Sequence, residues 1–204
     1  MAEVAMEKVK KLRDLTGAGM MDCKKALEAT EGDVEKGIVW LRERGIAKAA
    51  SRAGRVTNNG VVEAYLHTTS ADYPPQVGVL VELDCESDFV AKGADFRKLA
   101  KELAMHIAAA APRWIAQEDV PADEVEKERA IYLKEAEESG RPQQAWEKIV
   151  EGKLNDFFKT NCLLEQAWVR EAKTPIKDLI AENVSKLQEN ITVRRFSRFS
   201  IKES

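Results

Sequence analysis

The apolar residues change their spacing at Gly60, and that change constrains the fold more than any other feature of the chain. Before it, Ala5, Val9 and Leu12, then Val34, Ile38 and Leu41, recur every three or four residues. That is the spacing of one face of a helix. After it, Val77, Val79, Val81, Leu83 and Cys85 recur at every second residue, which places them on one face of a strand. Further helical stripes then follow, so the pattern demands an α+β fold.

Three short helices are expected first. Thr16-Gly17-Ala18-Gly19 breaks the first, the second runs over Met20–Ala29 with Asp22 in its first turn, and Gly32-Asp33 ends it and caps the third. Gly45 is expected to close the third helix, with residues 47–55 as a basic helical linker and Asn58-Asn59-Gly60 as a turn. This divides the chain into a three-helix module with linker, residues 1–55, and an α+β core, residues 56–204. Within the core, residues 61–67 and 77–85 form a hairpin of strands joined by a loop containing Pro74-Pro75. A helix with Phe96, Leu99, Leu103, Ile107 and Ala110 on one stripe follows and stops at Pro112. A helical hairpin over about residues 122–160 turns at Gly140-Arg141-Pro142. Thr174 caps a helix with Pro175 at its first position, and a strand over residues 191–201 ends the chain.

Composition narrows the function. The 204 residues are 44% hydrophobic, enough for a core, and carry a formal charge of −3. Nucleic-acid binders usually show a basic excess, so a protein partner is the better expectation. The start at Met1-Ala2-Glu3-Val4 lacks the basic and apolar regions of a secretory signal, and no apolar run reaches the ~20 residues of a membrane span. Cys23, Cys85 and Cys162 are odd in number and widely separated, as in reduced thiols of a cytoplasmic protein.

A search for chemistry nominates no catalyst. His67 and His106 stand on separate elements without a Cys/His cluster, which leaves no metal site and no cofactor. Phosphate-cradling glycine loops and nucleophile elbows are absent. Two features remain. Met20-Met21 beside Lys24 suits adaptable contact with a partner, although core packing claims at least one of the pair. At Ser87-Asp88-Phe89-Val90, a strand end joins an acid to a large aromatic. The residues alone favour a helix start with Asp88 on the dipole and Phe89 in the core; the other reading is an outward-facing charge and wedge.

The residues also resemble a known family. Lys11-Leu12-Arg13-Asp14-Leu15-Thr16-Gly17-Ala18-Gly19-Met20-Met21-Asp22-Cys23-Lys24-Lys25-Ala26-Leu27 is similar to the N-terminal signature of bacterial elongation factor Ts, and Val79 to Glu82 with Cys85-Glu86-Ser87-Asp88-Phe89-Val90-Ala91 to its second signature. Shorter matches, among them Ala104 to Ala108 and Ile149 to Leu154, continue in order to near the end. The resemblance implies a ubiquitin-associated-like three-helix domain followed by an α+β core. It further implies a guanine-nucleotide exchange factor for elongation factor Tu that is not itself an enzyme and binds no nucleotide. On this resemblance Ser87, Asp88, Phe89 and Val90 intrude on the GTPase near its switch and magnesium region. Arg13, Met20, Met21 and Lys24 meet its nucleotide-side helices, and His67 contacts another of its domains. Ser87 stands where the family commonly has threonine, which keeps the hydroxyl. The chain has one core subdomain where long members have two, and homodimerisation through sheet faces would supply the second.

Three rivals remain. A ubiquitin-associated-like interaction scaffold without exchange activity explains residues 1–55 alone. A thiol enzyme using Cys85 lacks a nearby His, and RNA binding would rest only on the stretch Arg194 to Phe199.

Overall fold

The change of spacing at Gly60 is a change from helix to strand. The computed structural model describes residues 5–70 and 72–201, so the reading of Met1–Val4 lies outside the described residues. Helices α1 (Met6–Thr16), α2 (Met20–Ala29) and α3 (Val34–Arg52) come first. Strands β1 (Asn59–His67) and β2 (Val77–Cys85) follow, then helices α4 (Asp88–Lys92) and α5 (Ala94–Ala110). Next come α6 (Ala122–Glu138) and α7 (Trp146–Asn161), the short strands β3 (Ala167–Trp168) and β4 (Glu171–Pro175), α8 (Ile176–Leu187) and β5 (Ile191–Ser200). The main sheet has the order β1-β2-β5, and β3 pairs antiparallel with β4. The fold is α+β.

The chain divides into two compact units. The first comprises Met1–Glu63, Glu82–Ala100 and Asp178–Arg194. In it, Val9 and Leu12 of α1 and Cys23, Ala26 and Leu27 of α2 form a buried cluster, and Met20, Val34, Trp40 and Leu41 pack against it. Gly17 ends α1 at a φ of 67°, where its N–H donates to the Arg13 carbonyl at 2.7 Å. That left-handed conformation costs glycine no steric clash. Asp33 caps α3 by accepting from the Lys36 N–H, a contact of about 1 kcal/mol.

Three expectations fail in this unit. α3 does not end at Gly45 but runs on to Arg52. Gly45 is buried, and a Cβ there would meet the Ser185 Cβ at 3.5 Å. Arg42 pairs with Asp178 at 3.0 Å and Glu182 at 3.6 Å. Close packing against α8 therefore outweighs the modest helix cost of one glycine. The stripe also shifts, leaving Ile38 at the surface while Gly37 is buried. In addition, Asn59 and Gly60 open β1 instead of forming a free turn. A Cβ on Gly60 would stand 2.4 Å from the Leu83 carbonyl oxygen, so close approach to β2 requires glycine here.

The second unit comprises Ala64–Val81, Lys101–Lys177 and Arg195–Ser204. The helical hairpin is present: Ala136, Val150 and Leu154 form its buried centre, with Val125, Tyr132, Trp146, Ile149 and Phe158 around them. The Trp146 indole N–H donates to the Arg141 carbonyl at 2.9 Å and closes the corner. Thr174 and Pro175 correct another expectation, since they end β4 and α8 begins at Ile176. Pairing of Pro175 with Ala167 across the small sheet takes the place of a cap.

His106 is fully buried in this unit. Its Nδ1 accepts the Val169 N–H at 3.3 Å, so Nε2 carries the proton and donates to Gln166 Oε1 at 3.0 Å. The Gln166 amide in turn donates to the carbonyls of Thr160 and Ala110 at 2.7 and 3.2 Å. This network satisfies the polar atoms of both side chains within the fold. The thiols are buried as well. Burial, with nearby carboxylates, pushes Cys85 and Cys162 up to about 11, which argues against the thiol-enzyme reading.

Two outcomes follow for solution work. Burial holds the folded His106 imidazole below its ordinary pKa of 6.5, so the unfolded chain takes the proton first as pH falls. Stability should be intact above that value and decline below it until the folded pKa is reached. His106→Leu should flatten this slope and cost on the order of 2 kcal/mol by stranding Gln166 Oε1 and the Val169 N–H; an unchanged acid slope in denaturation midpoints would overturn the assignment. A water-soluble disulfide reagent at pH 7.5 should leave the native thiols intact while the unfolded chain reacts, and rapid native labelling of Cys85 would contradict the burial.

Candidate functional site

The turn that leaves β2 is built by a polar network. Alternate residues Val79, Val81, Leu83 and Cys85 are buried to the very end of the strand. Ser87 then takes an extended N-cap conformation (φ −122°, ψ 156°) and its Oγ accepts the Val90 N–H at 3.4 Å. Asp88 and Phe89 therefore fall in the first turn of α4, where the helix dipole favours an anion. Gly93, extended at φ −67° and ψ 142°, separates α4 from α5.

Phe89 is 83% exposed, so the core position favoured by the residues alone is not adopted. Ala91 is the residue of α4 that turns inward. Asp88 pairs with Lys92 one turn later at 2.5 Å, and the hydrogen bond and charge of Lys92 hold its carboxyl below the usual range. Both partners are exposed, so salt screens the pair and a competing cation can replace Lys92. Val90 is half-buried. The result is a short helix that presents a carboxylate and a bare aromatic ring side by side.

Sequence reasoning missed what holds this turn. The Glu189 carboxylate, between α8 and β5, accepts the Glu86 and Ser87 N–H groups at 3.1 and 3.0 Å and the Ser87 hydroxyl at 2.5 Å. The exchange is reciprocal, because the Glu86 carboxylate accepts the Asn190 N–H at 2.7 Å and pairs with Arg55 at 3.5 Å. Asn190 donates its side-chain amide to the Arg55 carbonyl at 2.8 Å, and Asn59 donates to the Glu86 carbonyl at 2.8 Å. The Cys85 thiol donates to the Ser87 carbonyl at 3.2 Å. Hydrogen bonds to a charged group contribute about 1.5–3 kcal/mol when protected, and less at a half-buried position such as this. No local signal marks Glu189 in the sequence, since its partners lie about a hundred positions away.

The N-terminal candidates form a second group in the same unit. Met20 packs on the three-helix cluster, whereas Met21 beside it is 65% exposed. Lys24 is exposed, with Glu28 at 3.9 Å, and Arg13 is exposed on the last turn of α1. One methionine thus belongs to the core and one to the surface. His67 belongs to the other unit, at the end of β1, with its Nδ1 3.1 Å from the Tyr65 hydroxyl. Among the described residues no group of His, Cys, Asp and Glu is arranged to hold a metal, and no helix is long and apolar enough to cross a membrane.

Comparison with known proteins matches the sequence to a family. The family model described as Elongation factor TS matches residues 2–203. The elongation factor Ts of Thermosipho melanesiensis is 49% identical over 200 residues, covering 98% of this chain and all of that protein. That of Frankia alni is 51% identical over 204 residues, covering both chains completely. A third, from Thermoanaerobacter pseudethanolicus, is 50% identical over 196 residues, covering 96% of this chain and 94% of the relative. With the match running the length of the chain, this protein belongs to the elongation factor Ts family of translation elongation factors.

Proposed function

We propose that this chain is a guanine-nucleotide exchange factor for elongation factor Tu, acting in the cytoplasm by contact and without chemistry of its own. The observation that carries the reading is Phe89, an aromatic ring 83% exposed at the first turn of α4. Leaving a ring in water forgoes roughly 1.5–3 kcal/mol of burial. A partner that receives it recovers that energy on binding.

The energetics of exchange suit such a wedge. A GTPase that holds GDP at nanomolar affinity binds it by about 12 kcal/mol, so release is slow unless the nucleotide-free state is favoured. Phe89 entering the GTPase beside its switch region, with Val90 behind it and Ser87 fixing the turn, would displace the groups that hold the nucleotide. Asp88 would bring a carboxylate close to the magnesium ion. Arg13, Met21 and Lys24 would hold the partner, with Met20 setting the angle of α2 from the core, and His67 would touch a further domain. Residues 1–55 would thus act chiefly as the grip and residues 56–204 as the wedge and the dimer surface. Linkage requires that GDP or GTP weaken the factor's hold by the same ratio. The factor then needs neither a nucleotide site nor a cofactor.

Self-association is part of the reading. Leu66, Leu80 and Phe199 stand exposed on the strands of the second unit, and burying such side chains against a second copy is favourable. Two chains and two GTPases would form the complex.

Phe89→Ala should slow release of a fluorescent GDP from elongation factor Tu by about a hundredfold or more in stopped flow while leaving the thermal midpoint unchanged. Release at the unaltered rate would remove the wedge. Arg13→Ala should instead raise the half-saturating concentration of factor, with the plateau rate retained. A dimeric mass is expected from sedimentation at micromolar concentration, and a monomer would refute self-association.

A further inference from the structure

Glu189 touches no residue of the candidate contact surface except through Ser87, yet it gathers three donors from the two residues that precede Asp88. Oε2 takes the N–H groups of Glu86 and Ser87, and Oε1 takes the Ser87 hydroxyl. Ser87 is left with its oxygen turned to the Val90 N–H. The direction of the first turn of α4, and with it the direction of Phe89, is set at these atoms. α4 has five residues and buries one side chain, Ala91. A helix that short does not hold itself in water, since isolated helices below ~12–15 residues are marginal. Its orientation must come from its ends, and the N-terminal end is tied to Glu189.

We propose that Glu189 is a positioning residue for nucleotide exchange: its carboxylate locks the backbone of Glu86 and Ser87 and so aims Phe89 at the partner. The inference rests on the exchange reading above. An exposed aromatic on a loosely hinged turn would spend much of its time pointing elsewhere, and ordering it on contact would lower the effect of the wedge. The reciprocal bond from the Asn190 N–H to the Glu86 carboxylate makes the lock two-sided, so the α8–β5 turn and the β2–α4 turn keep one relative geometry.

Replacement chemistry separates geometry from charge. In Glu189→Gln the amide oxygen can accept both backbone N–H groups while the amide nitrogen faces the Ser87 hydroxyl, which can accept as well as donate. This variant should keep release of fluorescent GDP within about threefold of the parent. Glu189→Ala strands three donors and should lower the plateau release rate by about tenfold or more, with the half-saturating concentration changed less than about twofold. A double-mutant cycle decides whether it acts through the ring: in a Phe89→Ala background, Glu189→Ala should slow release no further. Ser87→Ala, which removes the hydroxyl contact to Glu189 together with the cap on the Val90 N–H, should give an intermediate defect and serves if Glu189→Ala fails to fold. A plateau rate in Glu189→Ala equal to the parent's, or an additive effect in the cycle, overturns the proposal while a slow Phe89→Ala leaves the exchange reading standing. If Phe89→Ala alone releases GDP normally, the exchange reading fails and takes this inference with it.

Discussion

Burial of alternate side chains along β2 is the constraint on which the rest of the molecule depends. β2 is the middle strand of its sheet, and Val79, Val81, Leu83 and Cys85 lose nearly all contact with water. Slipping the strand by one residue would expose that whole set and bury Glu82 and Asp84, at a cost of several kcal/mol. Register is therefore fixed, and with it the position at which the chain must leave the sheet. Gly60 answers the same demand, since only a residue without Cβ fits against the Leu83 carbonyl. The exit falls at Glu86 and Ser87, and the exposed aromatic follows two residues later.

An exposed ring needs a rigid base, and a five-residue helix cannot be its own. The protein meets this with polar contacts where an apolar anchor would have drawn Phe89 inward. Two turns far apart in the chain exchange carboxylates, each accepting from the other's backbone. Such bonds are directional, so they define an orientation as well as a stability. Elsewhere the molecule uses the same device for a different end: His106 and Gln166 satisfy one another and three backbone groups inside the second unit. Direct partnership explains why these polar residues are buried.

The proposed exchange role and the presented surface belong together. Exchange of a nucleotide on another protein requires differential binding to two states of that protein, and binding energy is gathered by surface groups. Exposed Met21, Arg13 and Lys24 on the first two helices and Phe89 on α4 are of that kind. The buried thiols and the neutral imidazole are not.

Much of this was legible from the residues because it is local. The α+β class, the hairpin at residues 140–142, the Asp33 cap and the buried face of β2 follow from side-chain period and from turn and cap chemistry within a few positions. The motifs of the family were readable in the same way. Where a second segment had to intervene, local reasoning failed. α3 passes through Gly45 because Ser185 lies against it, Thr174 and Pro175 join a strand because Ala167 pairs there, and Phe89 stays outside although its composition favours the core. The Ser87 turn was visible as a helix start, but its lock was not, since Glu189 is 102 positions from Ser87. The sequence by itself determined the order and type of the elements, through contacts closed within one or two turns of chain. Only the tertiary structure decided where the ring points, because a direction is set by bonds between segments that meet after folding.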